Sequence, residues 1–189
     1  MSMLEALCEQ VSVGRGVMRL VRDDITLLDV DAFVYYGRHD LQLGSGFGGA
    51  ISVRGGRAIQ EELDKLAPVE TCQVVVTGAG NLKARFIIHA VGPRFNEPET
   101  ESKLRTTVHR ALEAAEAKGV RRIALPPMGA GFYAVPLELC ARVMVEVIAA
   151  HLRGGTQIEE VTICVVDRRE FEAFARQLDG LQPQEPSDR

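Results

Sequence analysis

Two hydrophobic periods take turns along this chain. Residues 17–22 and 30–36 are runs rich in β-branched, aromatic and other apolar side chains, separated by the turn Asp23-Asp24-Ile25-Thr26, and they predict two strands. A loop over 37–49 follows. Residues 50–66 then carry Ala58, Ile59, Leu63 and Leu66 at helical spacing, and Pro68 closes that segment. Two further short runs, 73–77 and 86–91, predict strands on either side of Gly78-Ala79-Gly80-Asn81, with Gly92-Pro93 ending the second. Over 99–118 the apolar residues Leu104, Val108, Leu112 and Ala115 return to helical period, and Gly119 stands where a left-handed helix cap is favoured. A strand over 122–125, a helix over 136–152 opened by Pro136, a strand over 161–166 and a helix over 168–178 complete the order.

Strands alternating with helices predict an α/β fold: a sheet, at least partly parallel, with helices on both faces, because parallel neighbours need crossover connections. Ligands of such folds gather at the carboxyl ends of the strands. At 189 residues the chain is long enough for one domain with a full core. One domain over 1–179, then a disordered polar tail over 180–189, is the expectation.

Composition narrows the function classes. The net charge is −4 and no long basic run occurs, which argues against nonspecific nucleic-acid binding. Cys8, Cys72, Cys140 and Cys164 stand far apart, without a CxxC or Cys/His cluster, so neither a metal site nor a short disulfide framework is indicated and a reducing compartment fits. Residues 1–15 lack the basic start and apolar run of a secretory signal, and no later stretch could span a bilayer. A cytoplasmic chain with no membrane partner is expected.

The eighteen glycines concentrate the interest in two loops. Pro126-Pro127-Met128-Gly129-Ala130-Gly131-Phe132-Tyr133 lies between a strand and a helix, where small residues let backbone N–H groups approach an anion and the helix N-terminus adds partial positive charge. A tight connection that needs glycine only for its dihedrals is the other reading. Leu43-Gly44-Ser45-Gly46-Phe47-Gly48-Gly49 also precedes a helix, and a pair of such loops could clasp two phosphates. Asp24 could accept from a base amino group or simply stabilise its own turn. Phe132 and Tyr133 could lie against a ribose or pack. His89, inside an apolar strand, reads as a hydrogen-bonded core histidine, and Arg38-His39-Asp40 is the one compact cluster with acid–base potential, otherwise a solvated surface.

The segment Val75-Val76-Thr77-Gly78-Ala79-Gly80-Asn81-Leu82-Lys83-Ala84-Arg85-Phe86-Ile87-Ile88-His89-Ala90-Val91-Gly92-Pro93 closely resembles the central signature of macrodomains, a family that binds ADP-ribose and related metabolites. Asp24-Ile25-Thr26 with Val30-Asp31-Ala32 resembles that family's opening motif, Gly44 to Ile51 its first phosphate loop, and Gly129 to Pro136 its second. The resemblance implies a three-layer α/β/α sandwich around a mixed, largely parallel sheet. It also implies that Asp24 bonds the adenine amino group with Ile25 in support, that Gly44, Gly46, Phe47 and Gly48 meet part of the diphosphate, and that Gly129, Ala130, Gly131, Phe132 and Tyr133 meet the rest and the distal ribose. No metal or cofactor is implied.

The chain also departs from that pattern. Tyr35-Tyr36-Gly37-Arg38-His39-Asp40 stands where hydrolytic relatives are rich in Asn and Ala, Gly48 stands where many carry Asp, and the first loop has no Lys. The leading expectation is therefore a module that binds ADP-ribose, free or on a protein or metabolite. A hydrolase of ADP-ribosyl ester or O-acetyl bonds using His39 and Asp40 is the alternative. Recognition of another nucleotide, an RNA end or a protein partner is the third.

Overall fold

A computed structural model describes residues 8–181. Its strands are β1 (Cys8–Val13), β2 (Gly16–Arg22), β3 (Ala32–Tyr36), β4 (Val74–Gly78), β5 (Phe86–Ala90), β6 (Arg122–Leu125) and β7 (Glu160–Val165). The helices are α1 (Gly46–Gly55), α2 (Ala58–Leu66), α3 (Thr100–Ala117), α4 (Leu137–Arg153) and α5 (Arg168–Asp179).

The strands form one mixed sheet in the order β1-β2-β7-β6-β3-β5-β4. The pairs β2/β7, β7/β6, β6/β3 and β3/β5 are parallel, and only the two edge strands, β1 and β4, run antiparallel to their neighbours. The central strands are apolar on both sides, as a sheet covered twice requires. On β3, Ala32, Val34 and Tyr36 enter the core formed with α3, α4 and α5, while Phe33 enters the core under α1 and α2, with Ile51, Ile59 and Leu63. The result is the α/β/α sandwich. The carboxyl ends of β2, β3, β6 and β7 open on one edge, and the glycine loops leave from β3 and β6 there.

One expectation is corrected, and one strand was not foreseen. The helix expected over 50–66 is two helices: α1 begins four residues earlier, at Gly46, and ends at Gly55, and α2 starts at Ala58. Glycines in the first turn of α1 depressed the helical signal, although Ile51 at its centre is fully buried. Residues 8–13 form β1, hairpinned to β2, with alternating exposed and half-buried positions too polar to announce a strand. Elsewhere element bounds differ by a residue or two, the usual fraying of ends. Of the expected tail, residues 182–189 lie outside the described residues. His89 is buried, its Nε2 2.9 Å from Thr77 Oγ1, and burial depresses its pKa to about 3, so it is neutral in the core.

Candidate functional site

The two glycine loops face each other across a cleft at the strand ends. The cleft has two lobes, of about 680 Å³ and 460 Å³, and Gly46, Phe47, Pro126, Pro127 and Gly131 line both. They form the waist between them.

The first loop delivers the start of α1 to this waist. Ser45 is the helix N-cap but makes no side-chain cap, and no acidic residue occupies the first turn. The first N–H groups of α1 therefore keep the partial positive charge of a helix start. Gly48 is required by packing: a Cβ there would run into the Leu43 carbonyl and come within 2.6 Å of the Tyr35 hydroxyl. That hydroxyl donates to the Leu43 carbonyl at 3.4 Å, and the Tyr35 ring meets Phe47 edge to face at 5.0 Å.

The second loop leaves β6 through Pro126-Pro127 and turns at Gly129, whose φ of +82° lies in the region that disfavours a side chain. Bonds from Val135 N to Gly129 O at 2.9 Å and from Ala134 N to Gly131 O at 3.0 Å close the turn. Among the described residues the N–H groups of Gly131, Phe132 and Tyr133 meet no protein acceptor. Ala130 is held instead within the loop, its N–H 3.5 Å from Pro127 O.

Asp24 and Ile25 line the larger lobe together with Cys164 and Val166. Asp24 Oδ1 accepts from Thr26 N at 3.0 Å and from Thr26 Oγ1 at 2.7 Å, and Oδ2 is paired with Arg54. Desolvation pushes the Asp24 pKa up, but the bonds from Thr26 and Arg54 together outweigh it, so the carboxyl titrates below its ordinary value. Arg54, on α1, is a partner that sequence reading missed; thirty positions of separation leave no local signal. Cys164 donates to Asp23 O at 3.3 Å, and burial pushes its pKa up to about 12, which favours the protonated thiol.

The smaller lobe holds Tyr35, Tyr36, Arg38, Phe132 and Tyr133. Tyr36 donates to Pro93 O at 2.5 Å and packs edge to face on Tyr133 at 5.0 Å. Arg38 pairs with Asp40 at 2.8 Å. Sequence reading gave Phe132 and Tyr133 to the ligand but left Tyr35, Tyr36 and Arg38 without a task there; these three are cleft residues, and the tie of Tyr36 to the opposite loop is visible only in three dimensions.

His39 and Asp40, expected as an acid–base pair, are not brought to the cleft. His39 Nδ1 is 2.7 Å from Val69 O, and Nε2 lies 3.5 Å from Thr71 Oγ1, facing the segment after α2. Asp40 accepts from Gln42 N at 3.1 Å and from Arg38. Neither lines a lobe. Among the described residues no group of three or more His, Cys, Asp or Glu side chains could hold a metal ion, and no helix is long and apolar enough to cross a membrane.

Comparison with known proteins gives one family. The model of the Macro domain matches residues 38–144. A macro domain-containing protein of Streptomyces coelicolor is 37% identical over 166 residues, spanning 84% of this chain and 96% of that protein. Among solved structures, the fold is similar to an Oceanobacillus iheyensis macrodomain with ADP, at TM-score 0.89 and 23% identity, covering 93% of this chain and 97% of that one. A Trypanosoma brucei macrodomain in complex with ADP-ribose is similar at TM-score 0.79 and 24% identity, covering 84% and 68%.

Proposed function

The chain belongs to the macrodomain family, and from that premise we propose that it binds ADP-ribose, free or attached to a protein or metabolite, in the cleft between its glycine loops. The observation that carries this is the continuity of the cleft: two lobes joined at a waist made from the first turn of a helix and a glycine turn. A diphosphate at the waist meets N–H groups from both sides without needing a lysine. Adenine then falls in the larger lobe, its amino group at the Asp24 carboxylate and the Ile25 backbone beside it. The distal ribose enters the smaller lobe under Phe132 and Tyr133. The relatives solved with ADP and ADP-ribose support the ligand class.

The lining of the smaller lobe favours holding the ligand over cleaving it. Among the described residues it contains no Asp, Glu, His, Lys or Cys. Its three tyrosines, phenols at neutral pH at their ordinary pKa, are shifted further up by burial. No group there is poised to take a proton from water.

Calorimetric titration with ADP-ribose, ADP and AMP tests the reading. Affinity should rise from AMP to ADP to ADP-ribose as the waist and then the smaller lobe are filled. Absent binding, or equal affinity for all three, overturns it.

A further inference from the structure

The smaller lobe is richer in rings than a pentose requires. All three tyrosines of the chain and two of its seven phenylalanines line it. Its volume of about 460 Å³ by itself falls within the roughly 300–1,000 Å³ of a complete small-molecule pocket.

Some of its polar groups are committed, while among the described residues the Ser45 and Tyr133 hydroxyls and the N–H groups of Gly131, Phe132 and Tyr133 have no protein partner. The Tyr35 hydroxyl donates to Leu43 O and the Tyr36 hydroxyl to Pro93 O. The Arg38 guanidinium is paired with Asp40, which compensates its charge. A sugar is recognised through several hydrogen bonds to its hydroxyls, and beyond the groups that can make these the lobe carries the rings of five aromatic residues. Phe47 stands in the first turn of α1 at the waist, and Phe132 and Tyr133 come from the second loop, so aromatic surface borders the lobe from both loops. Phe132 is 90% exposed, an unusual cost for a phenylalanine with only Tyr133, at 5.4 Å, as an aromatic neighbour.

We infer that the smaller lobe takes a planar heteroaromatic ring carried on the distal ribose, so that this cleft accepts an adenine dinucleotide of the nicotinamide type as well as, and more tightly than, ADP-ribose. The inference rests on the ADP-ribose reading of the same cleft. Rings sandwich or meet edge to face with Phe and Tyr, and a pyridinium ring gains further from their negative faces, with Arg38 neutralised by Asp40.

The test is calorimetric titration of the whole protein with ADP-ribose and with oxidised nicotinamide adenine dinucleotide, in the wild type and in Phe132→Ala. Exposure of Phe132 makes the variant safe for folding, which a thermal melt verifies. The dinucleotide should bind about five- to tenfold more tightly than ADP-ribose, the range expected for ring stacking with a cationic contribution. In Phe132→Ala that ratio should fall to about twofold or less as one stacking face is lost, while Phe132→Tyr should restore it. ADP-ribose binding with an equal or weaker dinucleotide overturns this inference and leaves the ADP-ribose reading intact. A preference for the dinucleotide that Phe132→Ala leaves undiminished overturns the aromatic lobe as its source. Binding of neither ligand overturns the ADP-ribose reading, and this inference with it.

Discussion

The Tyr35 hydroxyl stands 2.6 Å from the point that a Cβ on Gly48 would occupy, and the Leu43 carbonyl lies closer still. Two departures from the hydrolytic pattern, a tyrosine near the end of β3 and a glycine in the first loop, therefore meet at one spot, where the Leu43 backbone already excludes a side chain at residue 48. The tyrosine hydroxyl adds to that crowding from the strand side.

Gly48→Ala should destabilise the protein by about 1–3 kcal/mol, the usual cost of forcing atoms into a filled site. The obstacle is backbone, so adding Tyr35→Phe should not rescue it. Urea unfolding of the single and double variants measures this. A Gly48→Ala protein as stable as the wild type would mean that the first loop shifts freely.

Gly131 behaves oppositely. A Cβ there meets nothing within 4 Å and its backbone does not have positive φ, yet it lines both lobes. Gly131→Trp should keep its stability to within about 0.5 kcal/mol, as surface changes do. ADP-ribose affinity should drop by at least about tenfold, or 1.4 kcal/mol. Undiminished affinity in a folded variant would remove the second loop from the ligand site.

Asp24→Ala should weaken ADP-ribose binding by about 1–3 kcal/mol, the value of a hydrogen bond to a charged group. Arg54→Ala should weaken it less, because Thr26 still orients the carboxylate. Calorimetry on both variants gives the comparison, and an Asp24→Ala protein with wild-type affinity would sink the adenine assignment.

His39→Ala should cost about 1 kcal/mol of stability through the lost bond to Val69 O. ADP-ribose affinity should be unchanged, since His39 lines neither lobe. A loss of affinity with stability intact would instead bring His39 into the ligand site.

Asp31 gives a pH signature. Desolvation raises its pKa, but acceptance from Arg121 N at 2.9 Å and Arg122 N at 3.0 Å prevails and lowers it. A depressed folded pKa means that the stabilisation is complete above the ordinary value of 3.8 and is lost as pH falls through the lowered one. The urea midpoint should therefore drop on the acid side of pH 4, and less steeply in Asp31→Asn, which starts lower at neutral pH. An identical acid limb in that variant would show that Asp31 does not carry the linkage.

The sequence by itself determined the α/β alternation, nearly every buried strand and helix, and the two glycine loops. These are matters of local period and of residue chemistry read a few positions at a time, and long apolar repeats such as that of α3 dominate any local competition. It did not announce β1 or the break between α1 and α2. Exposure on an edge strand leaves little hydrophobic pattern, and first-turn glycines hide a helix that tertiary burial of Ile51 holds in place. At the site, the residue types of the loops were legible, but three things were decided only by the folded chain. Arg54 reaches Asp24 from another element, Tyr35 takes the space beside Gly48, and His39 turns toward Val69 and away from the cleft. Each depends on where side chains of separate elements end up in space, which no local spacing encodes.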